Sequence, residues 1–522
     1  MNFLKKHYGL ILVLVLSFWA IKPLFAQGFF PMHDNTQVAR VFEMGKMLKA
    51  GMFPVRWVPD LGYGYGYPIF NFYAPLAYYV GGTFTLMGFD ALLATKIMMA
   101  LGVILSGIFM YLLARNFFGE LGGIVSGLFY IYAPYHAVDI YVRGDVAEFW
   151  AYAFIPLAFF GFYKVYRLAS VVWGHVPSFL PASAPLTSSK MRAVGSPPTG
   201  ATPWIILGGI GYAGIILSHN LTALMVTPFL LIVCLLFIIL SKKETRLHTT
   251  YCILFTAILG LAISAFYWLP ALSEMKYTNV LSQIGGGADF RDHFVCLSQL
   301  WTSPWGFGGS AKNCIDGMSF MIGKLHILSA LSIIPISLYL GAKRKYFNNI
   351  YYLSIFSIAG FIIAIFLMLN LSKFLWEAIP FMSFFQYPWR FLIMVSFFSS
   401  ILSGAIVVLS SQFKIKPYFT AFLLVFFLLF FNFKLFVPQT IFPSTASDFT
   451  NEKALKWTAS RISDEYLPSN FRKPKSEKEI AKNPIPFKET RLEKASNIVS
   501  FIGILALIIG IIFVTNKKLR YE

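Results

Sequence analysis

The chain has 522 residues, of which 57% are hydrophobic and only 13% are charged. So few polar residues exclude a soluble globular protein of this length and predict an all-α polytopic membrane protein. The formal net charge of +20 does not indicate nucleic-acid binding, because the basic residues gather in short clusters between apolar runs, the pattern that orients helices in a bilayer. These clusters are Lys5-Lys6, Lys242-Lys243-Arg246, Lys343-Arg344-Lys345, Lys414-Lys416 and Lys517-Lys518-Arg520.

Apolar runs of about 20 residues, the length that crosses a bilayer, predict the membrane helices. We expect twelve, near residues 8–26, 92–114, 121–137, 148–166, 203–218, 221–240, 249–270, 325–342, 350–370, 388–411, 417–437 and 497–515. An even number puts both termini in the cytoplasm of a multi-pass plasma-membrane protein and keeps every basic cluster on that side. The first run could instead be a cleaved signal peptide ending at Leu24-Phe25-Ala26, but a leucine three residues before the cleavage point fits poorly, so we expect retention.

Four segments then lie outside the bilayer. Residues 27–91, 271–324 and 438–496 face outward, and 167–202, rich in Ser, Pro, Ala and Gly, is predicted to be a flexible cytoplasmic loop. The 438–496 segment is too short for a large core, so we expect a small or partly extended element that covers the active site. Residues 497–522 form the last membrane helix and a basic cytoplasmic tail.

The first outer loop begins with the pair His33-Asp34, followed by an amphipathic helix predicted over 35–50. Asp34 could act in chemistry at the membrane surface, or it could cap this helix by accepting from free backbone N–H groups. The aromatic stretch Pro68 to Met87 is long enough to span, but a span there would invert the topology, so we expect it at the outer interface. The aromatic residues from Tyr63 to Tyr79 could stack on sugar faces, but they fit an aromatic belt better.

A second acidic group, Asp139, Asp145 and Glu148, falls in another predicted outer loop. Asp145 and Glu148 are three residues apart at the start of a helix, so their side chains share one face. They could hold a divalent cation such as Mg²⁺ or Mn²⁺, or bind an acceptor. They could equally cap the helix and complement its positive end.

Cys296 and Cys314 share one outer loop, whereas Cys234 and Cys252 lie inside predicted helices. A disulfide between Cys296 and Cys314 would restrain a glycine-rich loop in an oxidising compartment. Two unpaired thiols are the alternative.

Several short motifs, taken in order, resemble a known superfamily. They are the acid after the first helix, the run Gly64 to Leu76, Arg143-Gly144-Asp145-Val146-Ala147-Glu148, Ser218-His219-Asn220-Leu221-Thr222, and Phe385-Gln386-Tyr387-Pro388-Trp389-Arg390-Phe391. Together they resemble the GT-C superfamily of membrane glycosyltransferases, and within it the 6-pyruvoyl-tetrahydropterin-synthase-related membrane proteins. The resemblance covers roughly residues 10–440 and implies a GT-C-like domain over 1–437, with interfacial helices in the first outer loop.

The resemblance implies transfer of a sugar from a polyprenyl-phosphate carrier in the membrane to an extracytoplasmic acceptor. Asp34 occupies the position of the catalytic base, and Arg390 could bind the carrier phosphate bidentately, or simply anchor the interface together with Trp389. The other candidates for substrate or metal binding are His33, Arg143, Asp145, Glu148, His219 and Arg56, with Arg40 a further possible phosphate ligand. His219 could instead serve only a tight turn between two helices.

Two other classes of function stay open. A transporter or flippase of lipid-linked saccharide would share the groove and phosphate ligands, but it would place ionisable residues near the bilayer midplane. The predicted spans contain few such residues. The second class is a non-catalytic scaffold that keeps the fold, because fold alone does not fix function.

Overall fold

The structure is a computed structural model that describes residues 2–170, 200–280, 285, 288–342 and 349–519. Across these ranges the chain is helical and its only β-pairing consists of isolated bridges, which confirms the all-α class. Most of the predicted cytoplasmic loop 167–202 and the whole basic cluster 343–345 lie outside the described residues.

Twenty α-helices follow one another along the described chain. The first ten are α1 (Asn2–Ile21), α2 (Gln37–Lys49), α3 (Ile69–Phe72), α4 (Leu76–Leu86), α5 (Ala91–Ile131), α6 (Pro134–Val138), α7 (Val146–Ala169), α8 (Thr202–Ser218), α9 (Asn220–Leu240) and α10 (Lys243–Ile263). The others are α11 (Ala265–Glu274), α12 (Leu297–Trp301), α13 (Lys324–Ala342), α14 (Asn349–Met368), α15 (Lys373–Ala378), α16 (Leu392–Leu409), α17 (Pro417–Asn432), α18 (Ala446–Thr450), α19 (Ser460–Ile462) and α20 (Arg491–Leu519).

Nine helical stretches within the described ranges are long and apolar enough to cross a membrane, and two further apolar helices, α8 and the Lys324–Tyr339 part of α13, are shorter. The longest stretch, α5, contains two of the predicted spans. It is interrupted at Gly119, whose φ of 67° and ψ of −169° break the helical ladder. With α5 divided there, the apolar helices correspond to the twelve predicted segments, and the chain is a multi-pass membrane protein.

Residues 27–91, predicted as the first outer loop and called by that name below, form a compact helical layer. Helix α2 covers most of the predicted 35–50 helix and packs against α4. The aromatic stretch Pro68 to Met87 forms α3 and α4, neither of which is among the candidate spans of the described chain. Tyr67 and Tyr78 are fully buried there, so the expectation of an aromatic belt is wrong for these two rings, which fill the core of the loop.

The segment 438–496 lies on this layer. Phe442 exchanges backbone hydrogen bonds with Phe29, and the backbone of Ala481 donates to the carbonyl of Tyr63. Tyr63 also donates to this segment: its backbone N–H bonds to Ser460 Oγ at 3.0 Å, and its hydroxyl bonds to Asp464 at 3.0 Å. The segment therefore covers the first outer loop, as a short extended element can.

Cys296 and Cys314 form a disulfide, with their Cα atoms 5.7 Å apart. Asp316 lies two residues beyond and accepts hydrogen bonds from Gln299 Nε2 at 2.8 Å and Ser303 Oγ at 2.6 Å. The disulfide joins Cys314 to the residue just before α12, and Asp316 bonds to Gln299 in α12 and to Ser303 just after it. Both links therefore hold the end of this loop against α12.

Candidate functional site

Backbone hydrogen bonds bring the first outer loop to the second. The N–H of His33 donates to the carbonyl of Val142 at 3.1 Å, and the N–H of Asp34 donates to the carbonyl of Arg143 at 3.0 Å. Gln37 Nε2 adds a bond to the carbonyl of Gly144 at 2.7 Å. Gly144 has a φ of 63°, and a Cβ there would overlap Met32, so glycine permits both the turn and the close approach.

Five charged side chains meet beneath Asp34, and we call them the acid–arginine cluster: Asp139, Arg143, Asp145, Glu148 and Arg390. All five are buried, with exposures from 0% to 8%. Buried charges persist only when they are paired and hydrogen-bonded. The contacts within the cluster therefore decide which of its groups are still able to bind a ligand.

Arg143 is the centre of the cluster and is fully engaged. Its Nη1 donates to Asp139, to Glu148 at 2.9 Å and to the hydroxyl of Tyr135 at 3.0 Å, and its Nη2 donates to Asp145 at 2.7 Å. Its guanidinium also lies over the ring of Trp389, 4.8 Å from the centroid. Arg143 therefore holds the acids together, and its Nη hydrogens have protein partners.

Arg390 has the same charge but far fewer contacts. Its Nη2 is 4.0 Å from Asp145 and its Nε is 3.8 Å from Glu148, both at the outer limit of an ion pair. Among the described residues, neither its Nε nor its Nη1 has a hydrogen-bond partner, although both are buried. Buried N–H groups without a partner are costly, and an anionic ligand would satisfy them.

The cluster holds three acids and two arginines. Burial and the charge of Glu148 raise the pKa of Asp139 well above its usual range, against the pull of Arg143. Burial also acts to raise the pKa of Asp145, but Arg143, His219 and Arg390 together lower it below its usual range. The same cluster thus shifts the pKa values of its two aspartates in opposite directions.

Asp145 also caps α7, since its Oδ1 accepts from the backbone N–H of Glu148 at 3.1 Å. The capping alternative from the sequence is therefore present, and it coexists with the ion pair made by the other oxygen. The cap fixes the direction in which Asp145 points.

Asp34 differs from these acids. Its side chain is half-buried, and within the described chain no hydrogen bond or ion pair involves its carboxylate. Burial, and then the charge of Asp145, raise its pKa from 3.8 to about 6, against the lowering effect of Arg40, Arg143 and Arg390. The helix-cap alternative is wrong, because α2 begins at Gln37 with Thr36 at the N-cap position and Asp34 caps nothing there.

His219 joins the cluster from the junction of α8 and α9. Ligand atoms of Asp145, Glu148 and His219 all lie within 4.8 Å of one another. Nδ1 of His219 bonds to the hydroxyl of Thr222 at 2.8 Å, and burial lowers its pKa to about 4, so the imidazole is neutral, the form that ligates metals. Each carboxylate keeps lone pairs beyond those used by Arg143, so the three residues fit a divalent cation.

The remaining predicted residues lie elsewhere. His33 Nε2 bonds to the carbonyl of Phe307 at 3.0 Å, which ties the first outer loop to the disulfide loop. Arg56 donates to Asn71 at 2.8 Å and to Asn497 at 2.6 Å, so its guanidinium joins α3 to α20. No contact of Arg56 with the acid–arginine cluster occurs within the described ranges.

Sequence reasoning missed two residues that organise the site. Tyr135 donates to Glu148 and receives from Arg143, and Gln37 bonds to both Gly144 and Tyr78. Neither has a charge or a motif that draws notice. The spacing of Asp139 and Arg143, four residues apart, is a local signal that could have indicated their ion pair.

No known family's sequence profile matches the chain. An uncharacterized protein of Lactococcus lactis subsp. cremoris is 23% identical over 284 residues, which cover 53% of this chain and 41% of that protein. The match therefore spans less than half of this relative's length.

Three solved structures are similar at low identity. The apo oligosaccharyltransferase of Archaeoglobus fulgidus is 13% identical with a TM-score of 0.47, covering 96% of this chain and 64% of that one. The arabinofuranosyltransferase AftD from Mycobacteria is 11% identical with a TM-score of 0.47, over 84% of this chain and 28% of that one. ArnT from Cupriavidus metallidurans, bound to undecaprenyl phosphate, is 11% identical with a TM-score of 0.34, covering 82% of this chain and 88% of that one.

Proposed function

We propose that this protein is a membrane glycosyltransferase that moves a sugar from a polyprenyl-phosphate carrier to an extracytoplasmic acceptor. The observation that carries the proposal is the position of Asp34 close to Arg390. Within the described ranges the Asp34 carboxylate has no hydrogen-bond or ion-pair partner, and the buried Arg390 has two N–H groups without one. A base and a phosphate ligand in one place are what this transfer requires.

Asp34 acts as the general base. As the acceptor hydroxyl attacks the anomeric carbon, its proton passes to the Asp34 carboxylate, a carbon–oxygen bond forms to the acceptor, and the bond to the carrier phosphate breaks. A pKa of about 6 leaves Asp34 mostly ionised at neutral pH and makes it a stronger base than an ordinary aspartate. The hydrogen bond from the backbone N–H of Asp34 to the carbonyl of Arg143 keeps Asp34 next to the acid–arginine cluster.

Arg390 receives the leaving phosphate. The Nε and Nη1 groups that lack partners among the described residues can each donate a charge-assisted hydrogen bond to a phosphate oxygen. The stabilisation that these hydrogen bonds give grows as the leaving phosphate gains negative charge. They therefore lower the activation barrier for transfer and not only the free energy of the bound carrier.

Asp145, Glu148 and His219 would hold a divalent cation, which when bound supplies further positive charge for the phosphate. Two carboxylates and one imidazole suit Mn²⁺ better than Mg²⁺, because Mg²⁺ prefers oxygen ligands. Calorimetric titration of Mn²⁺ into purified protein should give a single site that is lost in His219→Ala. Equal Mn²⁺ affinity in the variant would refute this ligand set.

The test is sugar transfer by the purified protein. Radiolabelled polyprenyl-phosphate hexoses and pentoses are offered with a panel of short oligosaccharides, and wild type is compared with Asp34→Asn at equal folded yield. We expect a loss of about 100- to 10,000-fold. The matched control is Asp292→Asn, another half-buried loop aspartate, which pairs with Lys312 at 2.8 Å and should transfer like wild type.

The other outcomes separate the alternative functions. Unchanged transfer by Asp34→Asn would remove the base assignment. Movement of intact carrier across proteoliposomes without any transfer would favour a flippase, and neither transfer nor movement would favour a scaffold.

The proposed topology has both termini in the cytoplasm of the plasma membrane and the Asp34 site outside. A reporter inserted at residue 470 should then be accessible from outside the cell. A cytoplasmic signal from that reporter would contradict the topology.

A further inference from the structure

A polar cavity lies away from the acid–arginine cluster, between the first outer loop and the 438–496 segment. It has a volume of about 410 Å³, within the range of about 300–1,000 Å³ typical of ligand pockets. We call it the outer cleft, and its lining residues are Tyr63, Trp457, Arg461, Asp464, Lys473, Pro474 and Lys475.

One wall of the outer cleft is aromatic. Tyr63 stacks on Phe471 with ring centroids 6.1 Å apart and meets Trp457 edge-on at 5.9 Å. Trp457 is half-buried, so part of its ring faces the cavity. Such rings give a flat apolar surface with polar edges, which suits the C–H face of a sugar.

The other wall is cationic. Lys473 pairs with Asp464 at 2.7 Å, so the one acid of the lining is already neutralised. Arg461 lies over Trp457 at 5.4 Å, and neither Arg461 nor Lys475 forms an ion pair within the described chain. These two cations are thus available to an anion that enters the cleft.

The outer cleft is connected to the acid–arginine cluster through neighbouring residues. Ser463, adjacent to Asp464 in the chain, accepts a hydrogen bond from Arg40 Nη2 at 2.9 Å. Arg40 is one of the charges that act on Asp34. A chain of neighbouring residues, from Asp464 through Ser463 to Arg40, therefore leads from the cleft toward the proposed base.

From these observations we propose that the outer cleft binds a saccharide that carries anionic groups, either carboxylates or phosphates. The aromatic wall stacks on a sugar ring while Arg461 and Lys475 pair with its charge. That this saccharide is the acceptor rests on the proposed function, whereas its binding does not.

The binding test uses the full chain in neutral detergent and isothermal titration. The probes are trigalacturonic acid, its neutral methyl ester, mannose 6-phosphate and inorganic phosphate. We expect trigalacturonic acid or mannose 6-phosphate to bind at least about tenfold more tightly than the ester. Tighter binding of trigalacturonic acid would indicate that the cleft recognises carboxylates, and tighter binding of mannose 6-phosphate would indicate that it recognises phosphates.

Variants locate the site. Arg461→Gln and Trp457→Phe should each weaken binding of the better anionic sugar, Arg461→Gln by about tenfold. Arg472→Gln, an exposed arginine of the same segment outside the lining, should bind like wild type. Asp34→Asn should also bind like wild type, so failure of transfer and failure of binding are separate results.

Three outcomes would overturn the proposal. The first is equal affinity for trigalacturonic acid and its ester together with no binding of mannose 6-phosphate. The second is inorganic phosphate binding as tightly as either sugar, which would mark a simple anion site. The third is displacement of the sugar by phosphatidylglycerol nanodiscs, which would make the cleft a membrane contact.

Discussion

The acid–arginine cluster and the outer cleft both combine arginine with carboxylate and aromatic groups, but they differ in burial. In the cluster, Arg143 is 6% exposed and its Nη groups bond to four side chains. In the cleft, Arg461 is exposed and contacts only the face of Trp457 among the described residues. Buried charges keep fixed partners and interact with them strongly, because the surroundings screen the Coulomb energy little. Exposed charges can change partners, and water and salt screen their interactions.

The same difference appears inside the cluster. Arg143 is a structural cation, while Arg390 has two N–H groups without partners in the described part of the chain. Arginine is therefore found in three settings here: holding acids together, buried with N–H groups that we propose bind a phosphate, and facing an open cleft. Four predictions test this ordering.

The largest effect is expected for Arg143→Gln, because it leaves three buried acids with one distant arginine. The free energy of unfolding should fall by about 3–5 kcal/mol, the cost of removing one partner from a buried ion pair. Thermal unfolding in detergent measures this. Arg291→Gln, which removes an exposed arginine paired with Asp289 and Glu377, should change stability little. Similar losses in the two variants would contradict the comparison.

Arg390→Gln is expected to reduce transfer and leave stability nearly unchanged. The rate kcat/KM should fall about 100- to 1,000-fold, the effect of removing one preorganised donor from a developing anion. Arg390→Lys should recover only part of it, because an ammonium lacks the guanidinium fork. A variant that unfolds like Arg143→Gln would mean that Arg390 is structural as well.

The pH dependence of transfer should reflect Asp34. Its pKa is raised, to about 6, so the base is protonated as the pH falls below 6, and kcat/KM should drop about tenfold for each further unit. An acidic limb near pH 4 would show that Asp34 titrates as an ordinary exposed aspartate.

The smallest effect concerns salt. Raising the NaCl concentration from about 0.05 to 0.5 M shortens the screening length about threefold, so the affinity of the outer cleft for trigalacturonic acid should fall several-fold. Binding of the carrier phosphate at buried Arg390 should fall less. Equal salt dependence at the two places would mean that Arg390 is as solvent-exposed as Arg461.

Local features of the sequence predicted much of the fold. Apolar runs of span length gave the helices, and the interruption of α5 falls at Gly119, between two predicted spans. The order of acids along the chain also pointed to Asp34, Asp145 and Glu148. The capping role of Asp145 could be predicted because an N-cap depends only on residues within one turn.

The partners of each site residue could not be predicted. Asp34 and Arg143 are 109 positions apart and meet through one backbone bond, and Arg390 and His219 reach the cluster from other helices. The sequence suggests Arg143, Arg56 and Arg390 alike as possible ligands. In the described chain, however, Arg143 and Arg56 donate hydrogen bonds to other side chains. The position of an arginine in the sequence does not show whether its N–H groups are all hydrogen-bonded in the folded protein.

The sequence by itself determined the membrane class, the helix pattern and the chemical types available at the outer loops, because hydrophobicity and capping are properties of short segments. The tertiary structure alone decided which acids have a raised pKa, which have a lowered pKa, and which arginine keeps N–H groups without partners among the described residues. Those states depend on burial and on charges brought within a few ångströms by distant parts of the chain, and Coulomb energies become large only at such distances and depths.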